Sequence, residues 1–297
     1  MMKTGFMSYH PLTQLLFFAS VLSFTMFFMH PLILLISLFA GSLYVFYIGG
    51  AKGYFQTFKL TFITSVMIVL INPLISHGGV TILAYLPDGN PFTLESLFFG
   101  AAAALLMSCT LKWFYSVNKI FTSDRVIYLF GRITPKLALL LSMTLSFVSK
   151  FISQLKTVRT AQYTLGHDIS TGSLIKRVRN GIRILSAMIQ WSLENSVDTA
   201  DSMKSRGYGL KKRTSYSIYK ILRHDVIFIS LILLADLYMM IGIRNEALYY
   251  SYYPMIEIDI SGIYTLTLFV VFFLLCLMPL IADIKENLKW KSIQSKI

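Results

Sequence analysis

Residues that could carry out catalysis are few and scattered in this chain. No His-Glu-x-x-His spacing, which would place two zinc ligands on one helical face, occurs among the five histidines. Asp198 and Asp201 stand three positions apart and could bind a divalent cation, but a solvated face, or a pair with Lys204, is the favoured interpretation. The histidines are His10, His30, His77, His167 and His224. No catalytic residue and no metal ligand is therefore predicted.

Phosphate-binding and thiol chemistry are not predicted either. The basic stretch GLKKRTS, residues 209–215, lacks the second glycine and the Gly-Lys-Ser/Thr order of a phosphate-binding loop. Cys109 and Cys276 fall in or beside apolar segments, where buried structural thiols are expected. Any ATP hydrolysis must therefore be supplied by another chain, and no cofactor is predicted.

One basic segment could still bind a partner. The stretch MKSRGYG, residues 203–209, places Lys204 and Arg206 directly before Gly207. Glycine after the last helical turn favours a left-handed stop, and a cation in that turn complements the helix dipole. The simplest interpretation is a C-terminal helix cap, and the alternative is a docking tip for another protein.

The elements that must position this tip belong to a membrane protein. Of the 297 residues, 55% are hydrophobic and only 14% are charged, whereas soluble domains carry roughly 25% charged residues. Six stretches are long and apolar enough to cross a bilayer, and they must be helices because lipid offers no hydrogen bonds. They are Leu12–Met29, Pro31–Ile48, Phe58–Ser76, Leu94–Leu111, Asp225–Ile243 and Gly262–Ala282. We predict an all-α polytopic membrane helix bundle with about six transmembrane helices in the lipid bilayer.

The net charge of +13 is concentrated in one segment. Between Lys112 and Arg223 lie 19 of the 27 Lys and Arg residues, whereas residues 77–91 hold none. Because basic loops mark the cytoplasmic side, we predict a multi-pass protein with both termini and the middle segment in the cytoplasm, and no nucleic-acid partner. The predicted organisation is N-terminal transmembrane helices in 1–124, a cytoplasmic or interfacial segment in 125–223 and C-terminal transmembrane helices in 224–297.

The middle segment contains two amphipathic helical patterns. Its apolar run Leu137–Val148 is too short to span a bilayer and favours a helix at the membrane interface. A first apolar stripe runs from Leu145 to Leu155, and a second, more regular stripe follows at spacings of three or four. We expect the second stripe to be buried against lipid or protein. Its members are Ile182, Leu185, Ile189, Leu193, Val197, Ala200 and Met203.

The two helical patterns end in similar residues. Aligning AQYTLG, residues 161–166, with SMKSRG, residues 202–207, gives an offset of 41 positions. A weak internal repeat is therefore predicted, and two similar tips on one face would suit docking to a paired partner. The aligned pairs are Thr164 with Ser205, Leu165 with Arg206 and Gly166 with Gly207.

These features resemble the transmembrane T component of energy-coupling factor transporters. In that family a membrane helix bundle carries long cytoplasmic coupling helices, each ending in an Ala-Arg-Gly-like motif that docks into an ATPase subunit. Ser205-Arg206-Gly207 matches the second motif, and AQYTLG occupies the first with Leu165 in place of the arginine. HPLTQLL, residues 10–16, is similar to the Pro-x-Thr-polar opening of the family's first membrane helix.

The resemblance implies a function and partners. The chain would be a non-catalytic, energy-coupling subunit of an ABC-type uptake transporter for a vitamin or a metal ion in a prokaryotic cell membrane. Its partners would be two ATP-binding cassette ATPase subunits and a small substrate-binding membrane protein, the S component. The residues implied in ATPase docking are Thr164, Leu165, Gly166, Ser205, Arg206 and Gly207.

Two other functions compete with this interpretation. A membrane-embedded enzyme acting on lipid or isoprenoid substrates would need clustered carboxylates, and Asp198 with Asp201 is the nearest arrangement. A substrate-translocating permease would have polar or broken spans, and Asp236 is the acid placed most clearly within a span. We expect Asp236 to pair with Arg244 or with a hydroxyl of a neighbouring helix, and Asp283 to be solvated at the end of the last span.

Overall fold

The computed structural model describes residues 5–85, 89–209, 219–258 and 262–295; most of the basic stretch 209–215 therefore lies outside the described residues. The helices are α1 (Pro11–Phe27), α2 (Pro31–Ile75), α3 (Leu94–Ile120), α4 (Ser123–Ile133), α5 (Pro135–Thr164), α6 (Leu174–Ser205), α7 (Arg223–Arg244) and α8 (Ile263–Gln294). The strands are β1 (Ile82–Tyr85), β2 (Pro91–Thr93), β3 (Tyr250–Ser251) and β4 (Glu257–Ile258). The predicted all-α helix bundle is confirmed, with two small antiparallel strand pairs added in the loops.

The first three long helices begin at side chains that cap them. His10 and His30 each accept a hydrogen bond through Nδ1 from the N–H two positions later, both at 3.2 Å. Each histidine precedes a proline, whose missing N–H costs nothing in the first helical turn. Thr93 caps α3 by accepting from the N–H of Ser96 at 3.3 Å. The segment HPLTQLL is thus the start of α1.

The second and third predicted spans form one kinked helix. α2 has 45 residues and leaves helical geometry at Gly50, where φ is 63°. Beside this kink α2 packs closely on α3, since a Cβ added to Gly53 would lie 2.4 Å from the hydroxyl of Tyr115. The boundary predicted between Ile48 and Phe58 is therefore a kink rather than a loop.

Five helices of the described residues are long and apolar enough to cross a membrane, namely α2, α3, α5, α7 and α8. α1 is also apolar but has 17 residues, the lower limit of about 17 for a span. α5 differs from the expectation, because the helix continues beyond Val148 to Thr164 and reaches 30 residues. By length and composition α5 thus joins the candidate spans, although its apolar run alone is too short.

The described residues form two compact units. The first comprises residues 5–125 and 219–295, and its core is rich in aromatic side chains, with Phe17 packed edge-on against Trp113 at 5.9 Å between ring centroids. Contacts of α2 with α3 and α8, and of α1 with α7, assemble this unit. Ring packing of this kind stabilises a bundle beyond simple burial of apolar area.

The second unit comprises residues 126–209, in which α5 packs against α6. The rings of Phe147 and Trp191 stack across this pair, with centroids 5.7 Å apart. On α6 the buried side chains are Asn180, Ile184 and Met188. These residues recur every four positions and form one helical face.

The apolar stripe predicted on α6 is not the face that the chain itself buries. Ile182, Leu185, Ile189, Leu193 and Val197 are between 53% and 65% exposed. α5 covers only one side of α6, and a single neighbour cannot cover a second face. Within the second unit, the described residues therefore leave the stripe uncovered.

Candidate docking site

The residues 205–207, called the second tip below, end α6 in a left-handed turn. The N–H of Gly207 donates to the carbonyl of Lys204 at 2.9 Å, and the N–H of Tyr208 donates to the carbonyl of Met203 at 3.0 Å. Gly207 has a φ of 80°. This pair of bonds is the Schellman arrangement, in which glycine adopts the left-handed conformation without a Cβ clash. The helix cap predicted from the sequence is confirmed.

The residues 164–166, called the first tip, end α5 in the same way. The N–H of Gly166 donates to the carbonyl of Tyr163 at 3.0 Å, and the N–H of His167 donates to the carbonyl of Gln162 at 2.9 Å. Gly166 also has a φ of 80°. The two tips therefore share their backbone hydrogen bonds, in the register that the sequence alignment predicts.

The residues before the two glycines match as well. The hydroxyls of Thr164 and Ser205 each donate to the carbonyl three positions earlier, both at 2.8 Å. Leu165 has φ −84° and ψ 4°, and Arg206 has φ −81° and ψ 6°. The side chains at these two positions thus leave equivalent points of the backbone, so the tips differ in side-chain chemistry rather than in geometry.

The two tips present different chemistry to a partner. Leu165 is 67% exposed and offers an apolar side chain. Arg206 is exposed, and within the described residues its guanidinium makes no hydrogen bond or ion pair. Lys204 lies 3.8 Å from Asp201, which confirms the pair expected there. One tip is therefore apolar and the other cationic.

The loop that follows the first tip is anchored to α6. The side chain of Asn180, which is buried, donates to the carbonyl of Asp168 at 2.8 Å. The carboxylate of Asp168 accepts hydrogen bonds from the hydroxyls of Ser170 and Thr171. The bond from the Ser170 hydroxyl, first among several, holds the pKa of Asp168 below its ordinary value. The loop is thus a hydrogen-bonded turn that follows a defined path.

Cations of α6 also touch this loop. Arg177 donates from Nε to the carbonyl of Ile169 at 2.7 Å. Nη1 of Arg183 lies 3.0 Å from Nδ1 and 2.8 Å from Nε2 of His167, the residue that follows Gly166. No sequence pattern predicts these contacts, because the loop and α6 meet only once the helices have packed.

Two residues of the HPLTQLL segment belong to a buried polar network that sequence reasoning missed. The side-chain amide of Gln14 donates to the carbonyl of Phe6 at 2.6 Å, and its oxygen accepts from Nη1 of Arg125 at 2.7 Å. Thr13 contacts Asp225 at 3.4 Å between Oγ1 and Oδ1. The sequence does contain a signal for this network, because two polar residues, Thr13 and Gln14, stand at the start of an apolar run. Both side chains are buried, and the hydrogen bonds of the network satisfy them.

Two carboxylates in or beside the predicted spans accept a hydrogen bond through one oxygen each. The hydroxyl of Ser20 donates to Oδ2 of Asp236 at 2.6 Å, which confirms the expected bond from a neighbouring helix. Asp283 is fully buried and accepts from the N–H of Phe6, so the expectation that it is solvated is wrong. The reason is that the segment before α1 packs against α8 at Asp283, which lies inside that helix and is 277 positions away from Phe6 in the sequence.

The rival enzymatic arrangement gains no support from these contacts. Asp201 is occupied by Lys204, and both side chains are more than two thirds exposed. Within the described ranges, no three His, Cys, Asp or Glu side chains lie close enough to hold a metal ion. The tips are therefore the feature with the most defined geometry for a function.

Comparison with known proteins gives a consistent result. No protein-family model matches the chain. Similar proteins include one from Bacillus selenitireducens, 29% identical over 164 residues, or 51% of this chain and 61% of that protein. Another, from Lactobacillus helveticus, is 33% identical over 100 residues, which cover 33% of this chain and 36% of that protein. A third, from Macrococcus caseolyticus, is 24% identical over 190 residues, which cover 59% of this chain and 72% of that protein.

Each of these proteins is named energy-coupling factor transporter transmembrane protein EcfT. The chain spans less than two thirds of the first two relatives, at 61% and 36% of their lengths. Eight curated proteins that match all carry this name. They confirm the resemblance predicted from the sequence and identify the chain as a relative of the transmembrane T components of energy-coupling factor transporters.

Proposed function

We propose that the chain is the scaffold and energy-coupling subunit of an energy-coupling factor uptake transporter. It links two ATP-binding cassette ATPase subunits to a small membrane protein, the S component, which binds a vitamin or a metal ion. ATP hydrolysis belongs to the ATPase subunits, and this chain is non-catalytic. The observation that carries the proposal is the pair of exposed helix ends with one backbone geometry at Gly166 and Gly207.

The proposal assigns a place to each part of the chain. Residues 1–124 and 224–297 form the transmembrane parts, and residues 125–223 form the cytoplasmic or interfacial part. We assign α5, which could span a membrane by length and composition, to the interface because its apolar run Leu137–Val148 is too short to span. Both termini lie in the cytoplasm of a prokaryotic cell, which the concentration of Lys and Arg between Lys112 and Arg223 supports. In this arrangement both tips face the compartment that contains ATP.

The second tip suits a charged contact. A guanidinium presents a planar fork that pairs with a carboxylate through two hydrogen bonds, which a lysine ammonium cannot do. The Schellman turn at Gly207 fixes the direction in which Arg206 leaves the helix. Because Arg206 has no partner in the described residues, its donors are available to a carboxylate of an ATPase subunit.

The helices behind the tips suit the transmission of motion. α5 has 30 residues and α6 has 32, so each is about 45 Å long at 1.5 Å per residue. Stacking of Phe147 on Trp191 joins the two helices. ATPase subunits that move apart or together at the tips would therefore displace a connected pair of rods rather than a flexible loop.

Charge reversal at the second tip tests the proposal. Arg206→Glu should leave the chain inserted and folded but lower the recovery of co-expressed ATPase subunits by at least about tenfold, because like charges then oppose each other across the interface. Arg206→Lys should be intermediate, since it keeps the charge and loses the fork. Arg159→Glu, which changes an exposed arginine of α5 by the same charge, is the matched control.

The measurement is affinity purification of the chain from detergent extracts of equal membrane yield, followed by quantification of the ATPase subunits. Uptake of the cargo by the same cells gives the second readout. Full ATPase recovery with Arg206→Glu would contradict the docking role and leave Arg206 as a helix cap. A loss that Arg159→Glu reproduces would show a general effect of charge and would also contradict it.

A further inference from the structure

The first tip lacks an arginine of its own, yet three cations of α6 surround the loop behind it. Lys176, Arg177 and Arg183 all contact residues between 167 and 172. Their spacing, with the buried Asn180 between them, places them on the face of α6 that meets this loop. The cations therefore reach the first tip from the neighbouring helix rather than from α5.

The stem of Lys176 packs against the loop. A Cβ added to Gly172 would lie 3.2 Å from Cδ of Lys176, so the aliphatic part of the lysine occupies this space. Lys176 is exposed, so its ammonium keeps its water. The side chain thus combines a fixed stem with an available charge.

Arg183 contacts His167, the residue that directly follows the first tip. Its Nη1 is almost equally distant from Nδ1 and Nε2 of His167, at 3.0 Å and 2.8 Å. Nη1 cannot point along the lone pairs of both ring nitrogens at once, so this contact is with the imidazole ring rather than a single directed hydrogen bond. Within the described residues Nε and Nη2 of Arg183 make no hydrogen bond, and the side chain is exposed.

No carboxylate of the loop neutralises these cations. Asp168 is the acid of the segment 164–183, and its oxygens accept from Ser170 and Thr171. Neither Arg177 nor Arg183 forms an ion pair among the described residues. The surface around Gly166 is therefore electropositive although Leu165 itself is apolar.

We propose that Arg183, with Arg177 and Lys176, supplies at the first tip the cationic contact that Leu165 does not, and that its partner is an acidic surface of an ATPase subunit. This inference rests on the proposed function, because it assumes that the first tip docks. Leu165, at 67% exposure, inserts its apolar side chain, and the guanidinium beside His167 pairs with carboxylates at the rim.

The contacts favour a protein partner over lipid headgroups. Hydrogen bonds from Arg177 and Asn180 hold the loop, and the ring of His167 holds Arg183, so the charges have defined positions. Attraction to anionic lipid requires only charge near a surface, whereas bidentate pairing with carboxylates requires this positional order.

Charge reversal at Arg183 tests the proposal, with Arg179 as the matched control. Arg179 is an exposed arginine of the same helix, one turn before Arg183, that makes no hydrogen bond or ion pair with the loop among the described residues. We expect Arg183→Glu to lower the recovery of co-expressed ATPase subunits by at least about tenfold and Arg179→Glu to leave it within about twofold of the unmodified chain.

Relocation of the cation separates docking from folding. Leu165→Arg combined with Arg183→Glu restores an arginine at the equivalent of Arg206, so ATPase recovery should return to within about threefold of the unmodified chain. Failure of this double variant to recover ATPase, at equal membrane yield and thermal stability, would show that Arg183 acts only by shaping the loop. That result would overturn the proposal.

The remaining outcomes distinguish this proposal from the proposed function. Loss with Arg206→Glu together with full recovery by Arg183→Glu would overturn this inference and leave docking through the second tip intact. If neither variant loses ATPase, both proposals fail. If Arg183→Glu keeps ATPase in detergent but loses uptake only in liposomes that contain phosphatidylglycerol, the cations bind lipid headgroups, and the ATPase contact is again overturned.

Discussion

The backbone N–H of His10 donates to Oδ1 of Asp225 at 2.8 Å, across 215 positions of sequence. His10 precedes α1, and Asp225 lies in the first turn of α7. The other carboxylate oxygen accepts from the N–H of Leu222 at 2.9 Å. One buried side chain therefore fixes the starts of two apolar helices in one place, as an N-terminal capping residue does for a single helix.

Removal of this carboxylate should destabilise the bundle. Asp225→Ala removes the acceptor of the N–H groups of His10 and Leu222. The bond from His10 is buried, and loss of a buried hydrogen-bond acceptor costs about 1–3 kcal/mol. We expect a lower thermal unfolding temperature of the purified protein in detergent. Asp201→Ala is the matched control, because the side chain of Asp201 is 71% exposed and its ion pair in the described part of the chain is with Lys204. Equal unfolding temperatures for the two variants would show that the Asp225 bonds do not stabilise the fold.

The predicted orientation gives a labelling experiment. A cysteine at Asn90, which is exposed between β1 and β2, should react with a membrane-impermeant thiol reagent added outside intact cells. A cysteine at Asp168 should react only after the membrane is permeabilised, because the basic middle segment is predicted in the cytoplasm. Cys109 and Cys276 are buried and provide the unreactive background. Labelling at position 168 in sealed cells would reverse the orientation and remove the docking proposal.

Two neighbouring residues of α6 separate the buried face from the apolar stripe. Met188 is 1% exposed and Ile189 is 53% exposed. Met188→Asp places an unpaired charge at a buried position of α6, which costs on the order of 3–5 kcal/mol. Ile189→Asp should cost less in the isolated protein, because Ile189 is already more than half exposed.

Thermal unfolding of both variants in the same detergent provides the comparison. The expected order of unfolding temperatures is the unmodified chain, then Ile189→Asp, then Met188→Asp. A larger loss for Ile189→Asp than for Met188→Asp would mean that the stripe, and not the face of Asn180 and Ile184, is the packed face of α6.

The glycine of the first tip can be tested without introducing a clash. A Cβ at Gly166 would meet nothing within 4 Å, so a substitution there changes only the backbone preference. Gly166→Ala should destabilise the turn by about 1–2 kcal/mol because φ is 80°. Gly166→Asn should cost less, since asparagine tolerates this conformation.

Hydrogen exchange followed by mass spectrometry measures the effect at the tip. The amides of residues 166 and 167, which bond to Tyr163 and Gln162, should exchange faster in Gly166→Ala than in Gly166→Asn. Indistinguishable exchange in the two variants would mean that the left-handed turn does not hold the end of α5.

Much of the fold could be predicted because its signals are local. Pro11 and Pro31 begin α1 and α2, as the sequence predicts. Gly166 and Gly207 follow the last turns of α5 and α6, as the alignment predicts. A proline in the first turn and a glycine after the last depend only on the backbone of a few neighbouring residues. The equivalence of the two tips was accessible from the sequence for the same reason.

Other features depended on which elements meet. The apolar periodicity of α6 identified a stripe but not whether a neighbour covers it, and Ile189 is exposed whereas Met188 is buried. Asp283 follows an apolar run, so the sequence suggests a solvated carboxylate. In the structure it is buried and accepts a hydrogen bond from the N–H of Phe6. A hydrophobic pattern records the chemistry of a face, and only packing decides what lies against it.

The sequence by itself determined that this is a membrane helix bundle with a basic middle segment, since lipid requires long apolar helices and charge is excluded from them. It also determined that two helices end in glycine, and that the first tip carries Leu165 where the second carries Arg206. Only the tertiary structure decided that Arg183 lies beside the first tip and that Asp225 holds the start of α1. These contacts join residues 16 and 215 positions apart, and no local preference of the chain specifies such pairs until the helices have packed.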